Sequence, residues 1–431
     1  MAKQRMLRLL FFLILLATYL SLSACGNDDN NPTASRTLSN NTPMSNEASS
    51  LIWQKTFGGP RNEEARSIQQ TSDGGYIVLG VQEQDTLDGY MDTYLLKIDE
   101  KGNELWSKTF GKSSENDIAN SVQQTSEDGY IIAGHIEPYL EEDHGTFIIG
   151  SINDIYLTKT DSQGNELWTK TIGDLHVDES AFCVQLTSDG GYIIAGKIFN
   201  KSTSEDMYLI KTDKDGTVQW TNYFGNSNVD SAQSVIQSSD GGYVLAGYTL
   251  NSTDKKLDIY LVKADPEGNQ QWIKTFGGSD TDIAESVRQT SDSGYIISGM
   301  TKSYGAGGLD AYVIKTDEKG NQQWQKTFGG PGEDAALSIC QTSDGGYIIS
   351  GSSGSSDSDF DVYVVKLDRR GDQEWSKTFG GPGNEVAIAM QQTSDGGYII
   401  AGTTDSYGAG SSDIYLIKTD AQGNCESPVQ P

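Results

Sequence analysis

The chain has 431 residues, with 60 acidic side chains against 31 basic ones and a formal charge of −29. A charge this negative argues against nucleic acid and anionic lipid surfaces as partners, and it favours solubility, cationic partners or divalent metal. The plain alternative is a well-solvated acidic surface, and the length suits two or three ordinary domains or one large repeat domain.

Residues 1–24 read as an export leader. Lys3, Arg5 and Arg8 precede "LLFFLILLATYL", and "LSAC" (22–25) closes the stretch. A basic start, a short apolar run and small residues make a signal peptide. The apolar run falls short of the roughly 20 residues a spanning helix needs. The "LSAC" ending resembles the lipobox of bacterial lipoproteins. The resemblance implies that Cys25 is diacylated, becomes the mature N-terminus and anchors the chain to a membrane, since two acyl chains hold stably where one does not. Gly26 stands where an aspartate would retain a Gram-negative lipoprotein at the inner membrane, which implies the outer membrane in such a cell. An ordinary secretory signal is the alternative. Residues 26–50 are Asn, Ser and Thr with almost nothing apolar, and with Cys25 they make a disordered tether, 25–50. A tether of this kind spans about 25–30 Å root-mean-square.

From residue 51 onward one unit repeats. "TSDGGYIIAG" stands at 187–196 and again at 393–402. The seven tryptophans, Trp53, Trp106, Trp168, Trp220, Trp272, Trp324 and Trp375, recur at spacings of 51–62 residues and mark one copy each. A tyrosine after an Asp/Ser-Gly turn (Tyr76 to Tyr398) and a lysine in "D-x-Y-x-x-K-x-D" (Lys97 to Lys418) keep the same register. One unit reads as four strands: "AESVRQT" (284–290), "YIISG" (295–299), "DAYVIKTD" (310–317) and "QQWQKTFGG" (322–330). Gly and Asp supply the turn conformations, the strands are rich in Tyr, Ile, Val and Thr, and no helical periodicity follows residue 50. Four short strands repeated seven times predict an all-β, seven-bladed β-propeller over 51–424, with 425–431 as a tail.

The phase of the repeat predicts how the ring closes. The chain starts with a tryptophan strand (about 51–57) and ends with "DIYLIKTD" (413–420). The last blade is therefore three strands from the C-terminus and one from the N-terminus. The strand order resembles that of Kelch and WD-type propellers. "D-x-x-G-x-x-x-W" (Asp99 to Trp106) resembles the tryptophan-docking motif of quinoprotein propellers, one residue shorter. "W-x-K-T-F-G-G" with "D-G-G-Y-I-I-A-G" is similar to a repeat family of secreted bacterial and archaeal proteins. These resemblances imply a fold and no particular activity.

Two groups of residues are candidates for function. A carboxylate stands two residues before the first alanine of each inner strand: Glu63, Asp117, Glu179, Asp230, Asp282, Asp334 and Glu385. At the end of the crossing loop these acids fall near one mouth of the channel. They would bind cations such as Ca2+ there, or each would accept N–H bonds in its own loop, which is the favoured reading. The second repeat carries an insertion, "HIEPYLEEDHGTFIIGSIN" (135–153). His135, Glu141, Asp143 and His144 there could hold a metal; Glu137 lies among them, and Tyr139 and Phe147 could anchor a partner. The tryptophans and lysines read as packing. Cys183, Cys340 and Cys425 fall in different repeats and read as small core residues without a disulfide framework. No catalytic His/Cys set, zinc spacing, EF-hand loop or phosphate-binding glycine motif is present. The sequence is read as a monomeric, lipid-anchored extracytoplasmic platform for an envelope protein or a glycan, without catalysis and without a resident cofactor. The alternatives are a propeller enzyme acting on polysaccharide, and a structural surface protein.

Overall fold

A computed structural model describes residues 52–426 apart from 86–88, 113–114, 139–152, 174–176, 200–204, 226–228, 252, 254 and 355–358. Strand β1 (Trp53–Phe57) precedes a first blade of β2 (Glu63–Gln70), β3 (Tyr76–Glu83), β4 (Met91–Ile98) and β5 (Glu104–Phe110). Five more blades follow in the same order, and all 28 strands sort into seven four-stranded antiparallel sheets. The inner strands of the second to seventh blades are β6 (Glu115–Gln124), β10 (Asp178–Leu186), β14 (Asp230–Gln237), β18 (Asp282–Gln289), β22 (Asp334–Gln341) and β26 (Glu385–Gln392). Each inner strand contacts the inner strands on either side, and the seven line the axis of the ring.

The ring closes as the phase of the repeat predicts. The seventh sheet is ordered β26, β27 (Tyr398–Thr404), β28 (Asp413–Thr419) and then β1. β1 pairs antiparallel with β28 over five residues, from Trp53 opposite Lys418 to Phe57 opposite Ile414. Tyr415 hydrogen-bonds Gln54 across this seam, and Gln54 Nε2 donates to the Glu426 carbonyl at 2.7 Å.

Neighbouring blades are fastened by a tryptophan and a glycine. The indole of each outer strand lies against the turn that follows the third strand of the next blade: Trp53 on Gly102, Trp106 on Gly164, and so on to Trp375 on Gly423. A Cβ at Gly320 would meet the Trp272 ring at 2.8 Å, and its φ of +72° is left-handed. Only glycine satisfies both conditions. The tryptophan edge then packs against the tyrosine that opens the second strand of that blade, with ring centroids 5.7–6.3 Å apart in six described pairs. Nearer the axis a glutamine ending an inner strand accepts from the serine N–H in the previous blade's first turn, as in Gln124 with Ser72 and Gln341 with Ser291, both at 2.8 Å. Gln70 with Ser394 carries the same bond across the seam at 2.9 Å. The core clusters between blades each draw on two adjacent blades. One combines Val235 and Leu245 of the fourth with Ile193 and Leu209 of the third.

The inner strands differ from the sequence expectation at both ends. In the fifth blade β18 starts at Asp282 rather than Ala284, because Asp282 already pairs with Thr301. Every inner strand also carries a bulge, between Ala65 and Ser67 in the first blade and between Ala284 and Ser286 in the fifth. The bulge explains the glycine that ends "YIIAG". A Cβ on Gly299 would collide with the Ile283 carbonyl, and its six counterparts meet the same obstacle. Cys425 is a free thiol, whereas Cys183 is disulfide-bonded, against the expectation of a core cysteine outside any disulfide.

Two outcomes follow from this architecture. Deleting residues 52–58 removes the seam and exposes the β28 edge, so the cooperative unfolding transition in urea is lost. Gly320→Ala forces a left-handed alanine into the Trp272 ring and costs about 2 kcal/mol, read as a lower urea midpoint.

Candidate functional site: the channel wall

The bulge residues are the positions where the blades stop resembling one another. They are Arg66, Asn120, Phe182, Gln233, Glu285, Leu337 and Ile388, and each is flanked by an alanine and a small residue that repeat. A bulge leaves its residue without a partner opposite it on the second strand. On the innermost strand that residue belongs to the channel wall. All seven are buried, none more than 7% exposed. The residue after each strand-two glycine varies too, with His135, Lys197, Tyr248 and Met300 in the second to fifth blades.

The wall has two halves. The first three blades supply polar and aromatic groups. Arg66 pairs with Glu64 at 2.9 Å. Asn120 Nδ2 donates to the Ala181 carbonyl at 2.8 Å and lies 3.4 Å from His135 Nδ1. The Phe182 ring meets the His135 ring edge-on at 6.3 Å. His135 Nε2 lies 3.5 Å from Glu137, and Lys197 pairs with Glu205 at 2.5 Å. His135 beside Glu137 holds that carboxyl below its usual range. From the fourth blade onward Tyr248, Ile283, Met300, Leu309, Leu337 and Ile388 form one apolar cluster, and the polar bulge residues there are Gln233 and Glu285.

The insertion of the second blade begins later than the sequence suggests. His135 and Glu137 are strand residues of β7 (Tyr130–Pro138), because Glu115 to Ile118 extend the pairing that far. Tyr139, Glu141, Asp143, His144 and Phe147 lie outside the described residues, as does Cys25. Among the described residues no group of three or more His, Cys, Asp or Glu side chains is placed to hold a metal ion.

The seven repeated acids are each the first or an early residue of their inner strand, and all are buried. In five blades the carboxylate accepts an N–H from earlier in its own loop, four residues before it in Glu63 with Gly59 and Glu385 with Gly381 and five before it in Asp117 with Lys112, at 2.7–3.0 Å. Asp282 also accepts from Thr301 and Ser303, and Glu385 from Thr404. Six of the seven acids sit close to an aspartate at or next to the start of the third strand of the preceding blade. Asp361 and Glu385, for example, both crowd the Cα of Gly380. Burial, then the charges of Glu385 and Asp359, push Asp361 up from the usual carboxylate range. Burial and nearby Glu115 and Asp92 do the same to Asp117.

Carboxylates on the opposite face are held the other way. In each blade a buried lysine of the third strand meets an acid in the first turn at 2.8–3.0 Å, as in Lys97 with Asp73 and Lys366 with Asp344. Burial pushes Asp344 up, but bonds from Thr342, Lys366 and Gly346 outweigh it and hold the carboxyl at about 2.

Sheet order, tryptophan docking and inner-strand geometry together define a quinoprotein-like seven-bladed β-propeller. Residues 91–301 match the family model PQQ_2, described as outer membrane protein assembly factor BamB. No curated protein matches the chain. Among solved structures, a polysaccharide lyase, the PL25 ulvan lyase, is 10% identical, with 86% of this chain and 96% of that one covered at a TM-score of 0.51. A protein of unknown function from Dyadobacter fermentans DSM 18053 is 12% identical over 86% of this chain and 98% of that one, with a TM-score of 0.46. Sqt1 from Chaetomium thermophilum is 11% identical over 82% of each chain, with a TM-score of 0.45. At this identity the likeness to the lyase shows the fold alone.

The two sets of carboxylates give opposite pH signatures. Asp361 has a raised folded pKa, so its contribution favours folding below about 4, the unfolded value, and is lost as pH rises through the folded one. Asp361→Asn therefore melts higher than the parent at pH 7, and the gap closes as pH falls toward 4. Asp344 has a lowered folded pKa, so its contribution is present above the unfolded value and is lost as pH falls through about 2. Asp344→Asn is less stable at pH 7 by about 1 kcal/mol after allowance for solvent screening, and converges with the parent only near the acid limit. Thermal melts across that pH range check both.

Proposed function

We propose that this protein is a lipid-anchored, extracytoplasmic binding platform for another protein of the cell envelope, without catalysis of its own. One observation carries the reading. The repeated residues build the ring, and the unrepeated ones gather on the channel wall and in the second-blade insertion. Rigid scaffolds that vary at one surface suit recognition. The match to a model described as an outer membrane assembly factor supports a protein partner over a glycan. Carboxylates are plentiful around the wall, but among the described residues no pair is isolated in one cleft as hydrolysis of a glycan requires. The repeated acids serve the crossing loops, and folding needs no cation.

Residues 26–431, used as soluble bait on envelope extract, are expected to retain a discrete protein. Variants lacking 139–150 or carrying Phe182→Ala lose it. An empty lane together with binding on a glycan array would overturn the protein reading. Cys25→Ala moves the protein from the membrane pellet to the soluble fraction; unchanged partitioning would sink the anchor. The melting temperature stays the same in calcium and in chelator, and a shift would return the acids to a metal role.

A further inference from the structure

We propose that the channel holds a binding site for an alkylammonium group, with Glu285 as counter-ion and the apolar wall of the fifth to seventh blades around the alkyl stem. Glu285 is the bulge residue of β18 and is 1% exposed. Its Oε2 is buried without a hydrogen-bond partner. Among the described residues no lysine, arginine or histidine forms an ion pair with it. The equivalent residues on the flanking inner strands are Gln233 on one side and Leu337, then Ile388, on the other. The ring therefore tolerates an uncharged residue at this place, and the carboxylate is not needed to build the blade.

Among the described residues the buried carboxylates of Glu63, Asp117, Asp282, Asp334 and Glu385 each accept at least one N–H bond, and a buried carboxylate that accepts none calls for a partner. Burial alone pushes the Glu285 carboxyl well above its usual range. A cation placed beside it would favour the anion and draw that value back down, with release of any proton the carboxyl carries.

The surroundings select the class of cation. A divalent metal asks for six or more oxygens, and the wall here offers Ile283, Met300, Leu337 and Ile388 instead. An ammonium asks for one carboxylate, and its methylenes ask for apolar surface. Tyr248 of the fourth blade lies within electrostatic reach of Glu285 and brings an aromatic ring to the same cluster. The overall charge of −29 draws cations toward the ring. The group could arrive on a partner's lysine or on a free amine. The site is independent of the platform reading, because small probes test it without any partner.

The test is calorimetric titration of the purified protein with n-butylamine and with Nα-acetyl-lysine methylamide. Each is measured at pH 7 in two buffers of different ionisation enthalpy. The expected result is saturable binding with a buffer-dependent heat that reports proton release. In Glu285→Gln affinity falls at least tenfold and the buffer dependence disappears. That variant copies the residue of the fourth blade, and Glu285→Leu copies the sixth, so one of the two is expected to melt like the parent. Tighter binding of the lysine derivative assigns the site to a partner's side chain, and tighter binding of butylamine assigns it to free amines. Equal affinity in parent and variants, n-butanol or butyrate binding as well as butylamine, or no saturable binding of either amine would overturn the proposal.

Discussion

An indole laid over a turn that has no side chain is the interaction on which this ring depends. Each outer strand offers its tryptophan to the next blade and each blade receives one from the blade before, from Trp53 on Gly102 round to Trp375 on Gly423. The relation is cyclic, so none of the described repeats serves as a capping unit. An open solenoid can hide its ends under special terminal repeats. Here the first and last repeats are ordinary, and the seam between β1 and β28 is built from the same residues as the rest. The Gln70–Ser394 bond and the Trp53–Tyr76 contact reproduce at the seam what other junctions use.

The parts of this design that rest on local chemistry are legible in the sequence. Asp-Gly and Ser-Gly turns, alternating Tyr, Ile and Val, and one tryptophan per period announce strand number, blade number and closure. The channel wall is not legible in the same way. A bulge is a property of two paired strands, and the residue it expels can be of any type. The signal was present in the triplets around it, ARS, ANS, AFC, AQS, AES, ALS and AIA, where the middle letter changes while its neighbours hold. The repeated acids show a different limit. Their spacing puts them at the end of a crossing loop, but whether Glu63 or Glu385 faces solvent or turns back to the N–H four residues earlier depends on where the strand begins. The inserted composition starts at His135 and suggests a loop there, but pairing with Ile118 keeps it in the sheet.

The acidic residues are thus of two energetic kinds. Those of the first turn, such as Asp344, are drawn down by a buried lysine and hydroxyl and stiffen each blade from within. Those between blades, such as Asp361 and Asp117, are pushed up by burial and by each other. A net charge of −29 conceals this division. The molecule places its unfavourable carboxylates where adjacent blades meet on the crossing face, and its favourable ones on the turn face.

The shared seventh blade also sets the order of events during synthesis. β1 leaves the ribosome first, and its partner β28 emerges after every other strand of the ring has been made. The first tryptophan has its docking turn within about fifty residues, but the strand that carries it must wait for nearly the whole chain before its backbone is paired. A product that stops early has blades but no ring, with an unpaired inner edge at one end and an orphan strand at the other, both prone to misassembly. Completion of the polypeptide is thereby a condition of the native state, and the fold itself separates finished chains from unfinished ones.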